Sequence, residues 1–394
     1  MNSSELRSAL ALAGIFGLRM LGLFLLLPVF SIHAKDLPGG DQAFLIGLAL
    51  GIFNIVQACF HIPLGRLSDR IGRKTVVLWG LSLFVAGALI CATKDDLLWI
   101  AIGRGVMGAG AISAAVSAWV ADLTREQVRS QAMALVGASI SLSFAVSLVV
   151  AAPLYRMISL SGMFLVLAIL GAVAMVVAYF VLPNNKPEVQ AQQDSLKVVF
   201  LRPELMRLNV GVFVLNATQV AMFLVVPRLL EEAGFPLSAH WQVYLSVVLL
   251  SFVFMVPLLI YGEKKQRIRL VLLIAIVLLI VAEIIFTQAA SVMLIAVALL
   301  IYFIGFNLLE ALQPSLVTRY AKESKGTALG VYNTTQSIGL FMGAVIGGWL
   351  MDSHGNLSVF FSGAVLLLCW LIIAWSMREL PARTVDSKDL TAKA

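Results

Sequence analysis

The chain has 394 residues, of which 60% are hydrophobic and only 12% charged. A soluble globular domain carries roughly 25% charged residues, so this composition excludes a water-soluble fold and points to a membrane protein. The net charge of +7 follows from where the bases sit along the chain, and no nucleic-acid partner is expected.

A helix needs about 20 apolar residues to cross a hydrocarbon core of about 30 Å. Twelve stretches qualify: 9–30, 43–64, 75–92, 98–120, 131–152, 160–182, 209–230, 241–260, 270–288, 292–317, 326–351 and 357–377. In lipid each segment must satisfy its own backbone polar groups, which predicts helices and an all-α membrane protein. The first run is too long for a signal peptide and no A-x-A site follows it, so it is read as a span. Cys59, Cys91 and Cys369 all fall in apolar runs, without disulfide or metal-ligand spacing, so no metal and no cofactor is expected. No nucleotide loop and no nucleophile–base constellation is present either, and an enzyme is not expected.

With both termini inside, inner loops and tails hold 22 of the 28 Lys and Arg, and outer loops hold Lys35, Lys94, Arg156 and Arg228. That asymmetry predicts cytoplasmic termini. Arg19 and Arg104 remain within spans. Residues 183–208 form the one long polar stretch, and they divide the spans six and six. The halves show self-similarity at an offset near 194. Pro63 and Asp69 recur as Pro257 and Glu263, while Arg70 and Arg73 recur as Lys264 and Arg267. The second copy, YGEKKQRIR, has lost a glycine and reads as a degraded repeat.

The most informative segment joins spans two and three. Residues 65–74 read GRLSDRIGRK, a short loop with four bases and one acid. With Gly65, Leu67, Asp69, Arg70, Gly72, Arg73 and Lys74 in register, it resembles the signature loop of major facilitator superfamily transporters. GLRMLG (17–22), GRGVMGAGAISAA (103–115), DLTREQ (122–127) and FNLLEALQPSL (306–316) are similar to the drug:proton antiporter group of bacterial inner membranes.

The resemblance implies two pseudo-symmetric six-helix bundles, 1–182 and 209–378, a cytoplasmic linker 183–208 and a tail 379–394. It implies a bacterial inner-membrane monomer whose partners are lipid, protons and a small-molecule substrate bound near the midplane. Asp69 is expected to cap the start of span eleven at Gly326–Thr327, and Arg73 to bridge Asp69 to Asp122. Together with Gly65, Arg70, Gly72 and Lys74 they would form a conformational lock, with Glu263 and Arg267 as weaker counterparts. Arg104 matches a fourth-helix arginine tied to proton coupling. Some members of the subgroup carry a soluble domain after the last helix; the short stretch after Met377 leaves no room for it here. Antiporters of the group also carry a Gly-Pro signature in span five, where this chain has Ala152-Pro153 without flanking glycines.

Ionisable residues within spans normally face a polar interior. Arg19 is the candidate to face the central cavity. Glu310, with Asn307 and Gln313 three residues to either side, is expected to be its counter-charge or a proton carrier. Glu283 is read as lipid-facing and snorkelling near a span end, and His61 as a satisfied helix-end group. Met20, Phe24, Met222 and Phe223 are expected to wall an apolar cavity. Gly339, Gly343 and Gly347 in span eleven, and Gly137, Ser141 and Ala145 in span five, form small-residue stripes for close helix packing. The favoured reading is proton-coupled efflux of an amphipathic solute. The alternatives are symport or facilitated uptake of a polar metabolite, and a receptor or scaffold that has lost transport.

Overall fold

The computed structural model describes residues 1–183, 202–321 and 325–377. The expected linker and tail fall mostly outside these ranges, as do the side chains of Asp69 and Glu263. Among the described residues every regular element is helical, and nine helices are long and apolar enough to cross a membrane.

Each expected span has its helix. Span one is Ser3–Phe24 and, after a break at Leu25 and Leu26, Leu27–His33. Spans two and three are Ala43–Ile71 and Arg73–Thr93. Span four is divided into Leu97–Ala109 and Ser113–Asp122. Spans five and six share one continuous assignment, Glu126–Val181, interrupted at Ser159. The second half comprises Pro203–Glu232, His240–Lys264, Ile268–Phe286, Val292–Tyr320, Lys325–His354 and Asn356–Trp375.

The backbone carries the duplication more clearly than the side chains do. Six described residues have positive φ: Gly39 (83°), Gly72 (101°), Ser159 (61°), Gly234 (79°), Gln266 (54°) and Gly355 (80°). They form three pairs, Gly39 with Gly234, Gly72 with Gln266, and Ser159 with Gly355, at separations of 195, 194 and 196 residues. Each pair marks the same turn in both halves. Only the first has kept glycine in both copies, and Gln266 and Ser159 hold a left-handed turn that glycine adopts more readily.

One expectation needs correction. The ten-residue loop after span two is mostly helix: residues 65–71 continue it, and Gly72 alone breaks it before Arg73 begins span three. The segment RLSDRI contains no helix breaker, so nothing stops the helix before glycine.

Small residues set the helix contacts. The Cβ positions of Gly339, Gly343 and Gly347 face Phe213, Ala217 and Ala221 on span seven, as the stripe predicts. Added side chains there would collide with the neighbouring helix, so these glycines permit its close approach. On span five Ser139 and Ser143 face Gly17 of span one, the Ser143 hydroxyl donating to the Gly17 carbonyl at 2.7 Å, and nothing stands within 4 Å of a Cβ on Gly137.

Candidate functional site

In the first half, the glycines of the segment 103–115 explain themselves by contact. Gly103 packs on Gly87 and Cys91 of span three, Gly110 on Gly80, and Gly108 on Phe53 of span two. This close approach brings Arg104 onto span two, where its Nε donates to the Ala49 carbonyl (2.7 Å) and its Nη2 to the Leu50 carbonyl (2.8 Å). A planar guanidinium suits two successive carbonyls as an ammonium does not. Arg19 lies on the same centre, with its Nη1 donating to Ser113 Oγ at 3.1 Å. The Phe53 ring carries both cations, Arg19 at 5.7 Å and Arg104 at 5.6 Å from its centroid, a favourable placement for desolvated charge.

Both arginines are essentially buried, at 2% and 0% exposure. Arg19 therefore sits inside the first half and does not line an open cavity in this state. Nor is Glu310 its counter-charge: the partners described for Arg19 are Ser113 and Phe53, and those for Glu310 lie on spans seven and eleven. His61 is buried and bonded to Gln57 at 3.1 Å, a satisfied polar group, though it lies inside the helix Ala43–Ile71 and not at its end.

In the second half, Glu310 Oε1 accepts from Asn216 Nδ2 and Gln336 Nε2, each at 3.5 Å, and the two amides bond one another at 3.3 Å. Glu310 is half-buried. Asn307 instead turns to span eight and donates to Ser251 Oγ at 2.9 Å. Gln313 is fully buried.

Between these two centres lies an aromatic cluster built from both halves. Phe144 of span five meets Phe24 at 5.1 Å, Phe303 at 5.9 Å and Phe223 at 6.4 Å between centroids. Phe223 continues to Tyr244 at 6.0 Å. Phe223 is therefore buried, at 0% exposure, and is not a wall of an open cavity; Met222 is 1% exposed. These edge-to-face and tilted pairs pack spans one, five, seven, eight and ten against one another.

The face opposite the GRLSDRIGRK segment is closed as well. Spans two and eleven touch backbone to backbone, Gly348 against Ala43, Gly47 against Ala344, and Gly51 against Phe341. At the end of this seam Asp352 caps span two, accepting from the amides of Ala43 (2.7 Å) and Phe44 (2.6 Å). A carboxylate on the first free amides of a helix is well placed for both hydrogen bonding and the helix dipole. The sequence reasoning missed Asp352, because an acid at a span end is ordinary and its partner is 309 residues away.

On the GRLSDRIGRK face, Arg73 bonds Asp122 through Nε at 3.0 Å and Ser68 Oγ through Nη1 at 2.6 Å. Lys74 reaches the carbonyls of Tyr179 (2.6 Å) and Leu182 (2.9 Å). Ser68 in turn donates to the Gly65 carbonyl at 2.6 Å. These contacts join spans two, three, four and six of one half. The expected contact of Asp69 with span eleven lies outside the described residues, and Arg70 is exposed. In the second copy Arg267 is exposed, and the Glu263 side chain lies outside the described residues.

The profile of the Major Facilitator Superfamily matches residues 12–344. The chain belongs to this superfamily of transporters. It is 39% identical over 388 residues to the inner membrane transport protein YajR of Escherichia coli, covering 97% of this chain and 85% of that one. To the multidrug resistance protein MdtH of Yersinia enterocolitica it is 25% identical over 389 residues, covering 94% of each chain. The crystal structure of a bacterial homolog to the human lysosomal transporter Spinster aligns with a TM-score of 0.72 at 14% identity, over 95% of this chain and 97% of that one. The last match shares the fold alone. The protein is thus a multi-pass membrane transporter whose charged and polar centres lie on helices of the transporter fold.

Proposed function

We propose that the protein is a secondary active carrier, working by alternating access between its halves, that exports a small amphipathic solute in exchange for protons. The observation that carries this reading is Glu310. It is a half-buried carboxylate within a span, and its described partners are uncharged amides. Such a group can gain and lose a proton without breaking an ion pair, and intramembrane carboxylates commonly serve proton relays. The similarity to MdtH, whose name denotes multidrug resistance, favours efflux over uptake.

The bundles would be 1–182 and 209–378, joined by a cytoplasmic linker, in a monomer of the bacterial inner membrane with both termini inside. In that orientation Asp352, the seam between spans two and eleven, and the aromatic cluster would close the outer face. Asp69 would take the converse part, capping span eleven when the inner face closes. Arg73, bonded to Asp122 within its own half, would hold the Asp69 turn in shape in both states. Gly65, Arg70, Gly72 and Lys74 complete that turn. Arg104 and Arg19 would hold spans one, two and four as one moving unit, and Glu263 and Arg267 would carry a minor share of the inner closure.

The test is dye efflux from bacterial cells stripped of their major pumps, at matched membrane levels of protein. The wild type is expected to lower accumulation of at least one hydrophobic cation or neutral dye, and a protonophore to restore it. Glu310→Gln should abolish the difference. Efflux by Glu310→Gln at the wild-type rate would remove Glu310 from the coupling scheme.

A further inference from the structure

Glu283 is not where its sequence position suggests. It is 2% exposed, and it faces a cavity of about 240 Å³ lined by spans seven, nine, eleven and twelve, apart from the aromatic cluster and from Glu310. A lipid-facing glutamate would snorkel; this one turns inward because Gly363 leaves it room. A Cβ on Gly363 would stand 3.1–3.2 Å from the Glu283 carboxyl atoms.

The rest of the lining is apolar or already satisfied. Met222, Met342, Ile346 and Leu366 supply apolar surface, and Gly343 and Gly347 open the floor. The two hydroxyls bond helix carbonyls, Thr218 to Val214 and Leu215, Ser362 to Ser358 and Val359. Glu283 has no hydrogen-bond or ion-pair partner among the described residues. A lone carboxylate in an apolar chamber within a membrane is costly unless something complements it. Ile346 is 43% exposed while also lining the chamber, which places it at the rim, towards the lipid.

We propose that this chamber is a second small-molecule site that takes a lipophilic primary ammonium, its charged head on Glu283 and its apolar body against Met222, Met342 and Leu366. The chemistry is that of a pocket with one placed polar group in an apolar wall. A free lipophilic amine and the ethanolamine head of a phospholipid both present it.

The experiment is binding of 1-adamantylamine to the purified full chain in phosphatidylglycerol nanodiscs, with 1-adamantanol as the uncharged isostere. The amine is expected to bind more tightly than the alcohol, and Glu283→Gln to weaken the amine roughly tenfold while leaving the alcohol unchanged. Ile346→Trp, at an exposed position, should fill the rim and weaken both. Nanodiscs containing phosphatidylethanolamine separate the sources: weaker amine binding there assigns the lipid head as occupant, and unchanged binding assigns the free amine. Equal binding by wild type and Glu283→Gln, or no binding by a wild type that melts normally, would overturn the proposal. So would a loss confined to Glu310→Gln, since the amine would then sit at the centre assigned to transport. Failure here leaves the transport reading untouched, and failure of transport leaves this site untouched.

Discussion

Replacing Arg104 by Lys is expected to damage the protein more than replacing it by Met. The guanidinium reaches two successive carbonyls of span two and lies over Phe53. A lysine would keep the charge, satisfy at most one carbonyl and lose the stacked plane. A buried cation left with poor partners costs roughly 3 kcal/mol, whereas an apolar residue of similar volume removes charge and partner requirement together. Thermal unfolding followed by a thiol-reactive dye, with exposed Cys59 and Cys369 replaced by serine, is suited to the comparison, because buried Cys91 beside Gly103 becomes reactive on opening of this centre. Arg104→Lys should melt several degrees below Arg104→Met. The reverse order would show that Arg104 is held there by its charge and not by the geometry of its contacts.

Asp352→Asn is expected to loosen the closed outer face. The carboxylate accepts from two neighbouring amides at once. An asparagine offers one oxygen and turns its own NH2 towards the second donor, so one cap bond is lost along with the charge at the helix N-terminus. Spin labels at Lys94 and Glu232, both exposed on this face, would report the separation of the halves in a background without native cysteines. Asp352→Asn should raise the separated population roughly tenfold, which corresponds to about 1.4 kcal/mol. Asp69→Asn should move the same equilibrium the other way, as the two caps serve opposite faces. A distance distribution unchanged by Asp352→Asn would reduce the cap to a local contact.

The sequence made some features plain and hid others, for physical reasons. Spans are legible because crossing lipid demands length and apolarity together. The glycine stripe of span eleven is legible because close backbone approach admits few residue types. The functional facing of the spans is not legible. A helix that is apolar all round gives no periodicity to separate lipid from protein, so Glu283 was placed on the wrong side and Phe223 in an open wall. The break after Arg104 was missed because Gly110 sits in a run that reads as continuous span, and its contact with Gly80 of span three appears only in three dimensions. The duplication was faint in side chains, which have diverged, and clear in three matched pairs of left-handed turns.

The most direct test of proton-coupled export is transport into proteoliposomes under an imposed pH gradient, using a dye that the cellular assay identifies. With the lumen acidic, protons leaving through the carrier should drive dye inward above its external concentration. The accumulation should collapse when the gradient is dissipated and be absent with Glu310→Gln. Dye that equilibrates but never accumulates, at the same rate with or without the gradient, would contradict proton coupling and leave a facilitator.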